Sequence, residues 1–179
     1  MVRALLTLKE NKMSTFPTKI LLASDSSDTA AHAMDLAVEL CEQTGSQLHL
    51  VYVGEDASYS APLISPGAAD LEGVGGVARE DPVLIEQLQQ QSDRMARRVL
   101  DTEVQKVREA GGTVAQAHLR MGKADIEIVE LAKEIDAGLL ILGSRGSGMI
   151  KRALIGSVSD SVVRHAHCPV TVVRQDKDE

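Results

Sequence analysis

The chain of 179 residues contains no Trp, one Phe and two Tyr. With aromatics at 2% and hydrophobic residues at 44%, the core must come from Ala, Val, Leu and Ile, the residues that fill parallel strands and the helices over them. Indole fluorescence is excluded as a probe. There are two cysteines, Cys41 and Cys168, far apart in sequence; two free thiols in a reducing compartment is the simplest reading. No apolar run approaches the ~20 residues that span a bilayer, and the short apolar stretch in MVRALLTLKENK is below the length of a signal-peptide core. No membrane partner and a cytoplasmic location are expected. A basic excess is also missing. The net charge of -7 and pI near 5.2 argue against nucleic acid, whose binding needs a field strong enough to release phosphate counterions. Any anion must therefore be held by a local site.

The length and the 25% of charged residues suit one globular domain. Five apolar runs read as buried strands: Ile20 to Ser24, Leu48 to Val53, Val114 to Leu119, Leu139 to Leu142 and Val170 to Val173. Four helical patterns lie between them. The first follows Ser26, Ser27 and Asp28, places Ala30, Met34, Ala37 and Cys41 on one face and stops at Gly45. A second opens at Asp81-Pro82, carries Leu84, Leu88, Met95 and Val99, and ends at Gly111-Gly112. The third aligns Ala124, Ile128, Leu131 and Ile135 before Gly138; the fourth starts at Ser157, carries Val158, Val162 and Ala166, and cannot pass Pro169. Strict β-α alternation predicts an α/β fold, a single doubly wound, Rossmann-like domain with a five-stranded parallel sheet and four helices. Residues 1–16 are expected to be a flexible extension and 17–175 the domain. Within it, residues 54–79 lack either periodicity and are rich in Gly, Ala, Ser and Pro, which predicts a mobile loop or lid.

The densest local signal is GSRGSGMIKRALIGS, residues 143–157, directly after the apolar run LLIL. In an open doubly wound sheet, ligands bind beyond the carboxyl ends of the strands where the chain order reverses. Asp25 follows the first strand and Gly143 the fourth. Phosphate binding there needs main-chain N–H groups unobstructed by a Cβ, then the positive end of a helix dipole; Gly143 and Gly146 offer the first, Gly156-Ser157 the second. The P-loop fails, because Met149 and Ile150 stand where Lys and Ser/Thr are required. Gly73-x-Gly75-x-x-Ala78 follows no strand and so is no dinucleotide fingerprint.

Gly143-x2-Gly146-x9-Gly156-Ser157, with ILLASDSSDTA at the first strand and GSVSDSVVRHAHCPVTVV at the end, resembles the ATP-binding branch of the universal stress protein family over nearly the whole chain. The resemblance implies strand order 3-2-1-4-5 and an adenine nucleotide, ATP, with Mg2+ held through the phosphates. It implies phosphate contacts from Gly143, Gly146, Gly156 and Ser157, with Val158 and Ser159 following. Asp25, flanked by Ala23 and Ser24, would sit by the nucleoside, and Val53 and Leu142 would help wall the adenine pocket. Ser24-Asp25-Ser26-Ser27 departs from the usual Val-Asp-Gly-Ser but keeps the acid. The resemblance further implies a homodimeric stress-response sensor or regulator, paired through Pro169 to Val173.

Each residue also has a plainer reading. The glycines could serve turns alone, and Asp25 could cap the first helix. Arg145, Lys151 and Arg152 are either phosphate partners or solvated charges, and the same holds for Lys123. His165-Ala-His167-Cys168 lacks a second cluster to complete a tetrahedral metal site. His32, His49 and His118 are scattered without acidic or serine partners, and no nucleophile-base pair is legible, so no catalytic or metal residue is assigned. A nucleotide-independent interaction or chaperone-like module and a slow ATPase or autokinase remain the alternative functions.

Overall fold

The computed structural model describes residues 16–55, 82–146 and 155–174. Strand β1 (Lys19–Ala23) leads into α1 (Asp28–Thr44), β2 (Gln47–Gly54), α2 (Pro82–Glu109), β3 (Val114–Met121), α3 (Ala124–Glu134), β4 (Leu139–Gly143), α4 (Ser157–His165) and β5 (Val170–Val173). The sheet order is β3-β2-β1-β4-β5, with every neighbouring pair parallel. The chain winds outward from β1 to β3, returns through α3, and winds outward again from β4. The reversal puts a crevice at the carboxyl ends of β1 and β4.

The aliphatic runs are continuous because both faces of the central strands are covered. On one face Ile20, Leu22, Leu48, Leu50 and Ile141 pack against Ala33, Met34, Ala37 and Val38 of α1 and Leu100 and Val107 of α2. On the other, Leu21, Ala23, Val51, Leu140 and Leu142 meet Ile128, Val129, Leu131 and Ala132 of α3 and Val162 of α4. Cys41 and Cys168 are both free thiols.

Three local readings need correction. The buried face of α2 is Ala96, Leu100, Glu103 and Val107, while Leu88 and Met95 are exposed. The helix is brought in by Ala96, which lies against the backbone of Gly54 where a Cβ would be only 2.9 Å from the alanine methyl. Gly54 itself belongs to β2, and its carbonyl accepts from Gly122 N–H at 2.9 Å, so the loop begins later than expected. The rest of that loop, residues 56–79, lies outside the described residues, as do Asp81 and residues 1–15 of the N-terminal extension. Helix α3 ends not at Gly138 but at Glu134, and Asp136 beyond it lies in the left-handed region with φ 53°; Gly138 instead packs against Pro17.

Candidate functional site

Beyond Ala23 the chain makes two side-chain turns in succession. Ser24 Oγ accepts from Ser26 N–H at 3.2 Å, and Asp25 Oδ1 accepts from Ser27 N–H at 3.1 Å. Such short-range bonds satisfy backbone donors without a helix or a ladder. Ser26 sits between them in the left-handed region, φ 64°. The cap of α1 is then Ser27, whose side chain accepts from Ala30 N–H; Asp25 is not the cap and is left to face the crevice's other wall.

That wall is the turn after β4. Ser144 N–H donates to Val173 O at 2.6 Å and Gly156 N–H to Ser144 O at 2.7 Å. The Arg145 carbonyl accepts from Thr29 Oγ1 at 2.6 Å and from Ser27 Oγ at 3.2 Å. The start of α1 is thereby stitched to the glycine turn. A Cβ on Gly143 would stand 2.5 Å from Thr29 Oγ1, 2.8 Å from Thr29 C and 2.9 Å from Ala30 N, so glycine is required for this approach. On Gly146 a Cβ would meet Asp25 Oδ2 at 2.7 Å. Asp25 and the glycine turn, 118 or more residues apart, share one small space.

Helix α4 opens on Gly156, which has extended backbone (φ -71°, ψ 159°) and supplies no side-chain cap. The first N–H groups of a helix have no intrahelical partner and carry the positive end of its dipole. A Cβ on Gly156 would project toward Ser144 O, Arg145 Cα and Gly146 N at 3.4, 3.6 and 3.8 Å. The bare backbone at the start of α4 therefore lies directly beside the turn, an arrangement of main-chain atoms and helix dipole that suits an anionic group such as phosphate.

The expected site residues divide as follows. Ala23, Val53 and Leu142 lie on one face of the sheet, in the same apolar layer, at the carboxyl ends of β1, β2 and β4. Asp25, Gly143, Arg145, Gly146 and Gly156 meet at the crevice. Ser157 and Val158 are exposed on the first turn of α4, whereas Ser159 is buried and its hydroxyl donates to Gly143 O at 2.7 Å, a structural bond. Lys123 stands exposed before α3. Lys151 and Arg152 lie outside the described residues, as do Gly73, Gly75, Ala78, Met149 and Ile150 of the two rejected motifs.

Two arrangements escaped the sequence reading. His49 and His118, read as scattered, are neighbours: His49 Nδ1 and His118 Nε2 are 3.0 Å apart, with rings stacked at 16°, upstream of the carboxyl edge. Burial lowers both pKa values, helped by Lys19 for His49 and by His49 and Arg120 for His118 against an opposing Glu134. Glu103 is 1% exposed and accepts from Ser24, Ser26 and Lys106. Burial pushes its pKa up, but the bonds from Lys106, Ser24 and Ser26 outweigh it and hold the carboxyl below the ordinary value. Beside it, the half-buried Tyr52 hydroxyl is raised by burial and by the charges of Asp25, Glu55 and Glu103. The crevice is thus acidic on its β1–β2 side and rich in main-chain donors on its β4–α4 side.

Residues 17–174 match the universal stress protein family. Universal stress protein YxiE of Bacillus subtilis is 29% identical over 156 residues, covering 87% of this chain and 98% of its own. Universal stress protein UspA of Lactobacillus plantarum superposes with a TM-score of 0.65 at 27% identity, over 88% of this chain and 97% of its own. A universal stress protein solved in complex with cAMP has the same fold, with a TM-score of 0.60 at 22% identity, over 89% and 99% of the two chains.

Proposed function

Since the chain belongs to the universal stress protein family, we propose that its β1/β4 crevice binds an adenine nucleotide, ATP with Mg2+ coordinated through the phosphates, and that the protein acts as a nucleotide-dependent stress-response sensor or regulator. The carrying observation is the start of α4, which has no side-chain cap, set beside the turn at Gly143 to Gly146 with only the bare backbone of Gly156 against it. Main-chain donors held in this way are preorganised for an anion and need no reorganisation when it arrives. Asp25, 2.7 Å from where a Gly146 Cβ would be, supplies an acceptor for an exocyclic amine or ribose hydroxyl. Ala23, Val53 and Leu142 offer an apolar wall for the base. Relatives of the same fold have been solved with cAMP and with dAMP, both adenine nucleotides, which supports a shared ligand class.

The acidic β1–β2 side orients the ligand: it repels the phosphates and leaves them the α4 end. A homodimer fits the open edge of β5, which pairs with β4 alone among the described strands. The test is thermal unfolding with ATP, AMP, GTP and no ligand, each with Mg2+. At 100 times the dissociation constant a ligand adds about 2.7 kcal/mol, several degrees for a chain this long. A shift with the adenine nucleotides and a smaller one with GTP is expected. No shift with any of them would leave the glycines as turn formers and favour a nucleotide-independent interaction module.

A further inference from the structure

We propose that Glu103 is the positioning residue that fixes Asp25 against the glycine turn, so that a side chain of α2 sets the nucleoside end of the site. The proposal rests on the nucleotide reading above only for its binding consequence.

Glu103 lies in the last two turns of α2, at a position whose helical neighbours on the buried face are Ala96, Leu100 and Val107. An aliphatic residue would satisfy the core there, and burying a carboxylate is unfavourable unless it is fully hydrogen-bonded. This one is bonded on both oxygens. Oε2 accepts from Ser24 Oγ at 2.5 Å; Oε1 accepts from Ser26 Oγ at 2.9 Å and from Lys106 Nζ at 2.7 Å. Ser24 and Ser26 flank Asp25, so the carboxylate grips the chain on either side of the acid. The grip continues into the backbone. Ser24 Oγ, while donating to Glu103, accepts from Ser26 N–H, and Ser26 is held at φ 64°, a conformation that a residue with a Cβ avoids without local support. With the turn held, Asp25 takes Ser27 N–H on Oδ1 and presents Oδ2 to Gly146. A binding group located this accurately needs a supporting shell whose own geometry is locked.

The experiment compares the full-length wild type with Glu103→Gln and Ser26→Ala. Amide exchange by NMR and dissociation constants for ATP, AMP and adenosine are measured for each. Glu103→Gln is isosteric but turns one acceptor into a donor facing a hydroxyl; Ser26→Ala deletes one of the three bonds and keeps the Cβ. We expect exchange at Ser26 and Ser27 to rise on the order of tenfold in Glu103→Gln while Leu21 and Leu140 keep their rates. The three ligands should weaken by a common factor, again on the order of tenfold, leaving the ATP-to-AMP ratio unchanged. A general loss of stability would instead raise exchange throughout the sheet. Ser26→Ala should show the same pattern with a smaller factor and decides the matter if Glu103→Gln does not fold. Wild-type exchange at Ser26 and Ser27 in the variants overturns the proposal, as does a loss confined to ATP. If the wild type binds no adenine nucleotide, the nucleotide reading fails, and the exchange rates still decide whether Glu103 holds the Asp25 turn.

Discussion

Alanine substitution of Gly143, Gly146 and Gly156 should separate fold from binding, because a Cβ meets a different obstacle at each. At Gly143 the obstacles are the Thr29 side chain at 2.5 Å and two backbone atoms of α1 at 2.8 and 2.9 Å, so α1 must move off β4. Overpacking of this kind costs about 3 kcal/mol or more, a fall in melting temperature of roughly 6–12 °C for a chain of this size. At Gly146 the obstacle at 2.7 Å is the end of the Asp25 side chain, which can turn away; stability should change by less than about 1 kcal/mol, and the nucleoside contact is lost. At Gly156 every contact is 3.4 Å or longer and φ is -71°, a conformation alanine adopts freely. Weaker N-cap propensity and lower unfolded-state entropy offset each other there, for a net change within about 1 kcal/mol, while the methyl covers backbone assigned to phosphate. Calorimetric melting of the ligand-free variants, followed by ATP titration calorimetry, reads both quantities. Gly143→Ala should melt far below the others, and Gly156→Ala should melt near wild type yet lose at least tenfold in ATP affinity, about 1.4 kcal/mol. A ligand-free Gly156→Ala as unstable as Gly143→Ala, or one that binds ATP like wild type, would refute the assignment of phosphate to the start of α4.

Leu100→Ala should cost about 3 kcal/mol because Leu100 is 8% exposed, whereas Met95→Ala should fall within about 0.5 kcal/mol because Met95 is 61% exposed; chemical denaturation of the two variants checks the packed face of α2. The His49–His118 pair should make the fold acid-sensitive. Both pKa values are lowered from 6.5 in the folded state, so the unfolded chain binds more protons, and this contribution, complete above pH 6.5, is lost as pH falls through the folded values. Denaturant midpoints measured from pH 7.5 downward should show a shallower acid loss in His118→Gln than in wild type. Burial raises the Cys41 thiol from 9.0 to about 11, which lowers its thiolate fraction near pH 8 roughly a hundredfold; iodoacetamide should modify folded Cys41 correspondingly slowly, with peptide mass mapping as the readout.

The fold and the floor of the crevice were legible because each is written in local chemistry. Leu139 to Leu142 is apolar at every position, which only a strand covered on both faces tolerates, and the glycines at 143, 146 and 156 mark where backbone must approach backbone. Glu103 carried no such mark. Pattern reading assigns an acid on a long polar helix to solvent, and the stripe through Leu84, Leu88, Met95 and Val99 drew attention to the wrong face; only the approach of Ala96 to Gly54 selects the face that buries Glu103. The histidine pair was hidden for a different reason. Leu48 pairs with Val114, but His49 pairs with Gln116, so β3 carries one extra residue at Ala115. Side chains alternate across a strand, and one inserted residue exchanges the faces of everything after it. Without that irregularity His118 would lie on the face opposite His49, and the two imidazoles could not meet. Their contact is therefore a property of strand register, which is set by how β2 and β3 pair after folding and has no counterpart in the spacing of the residues along the chain.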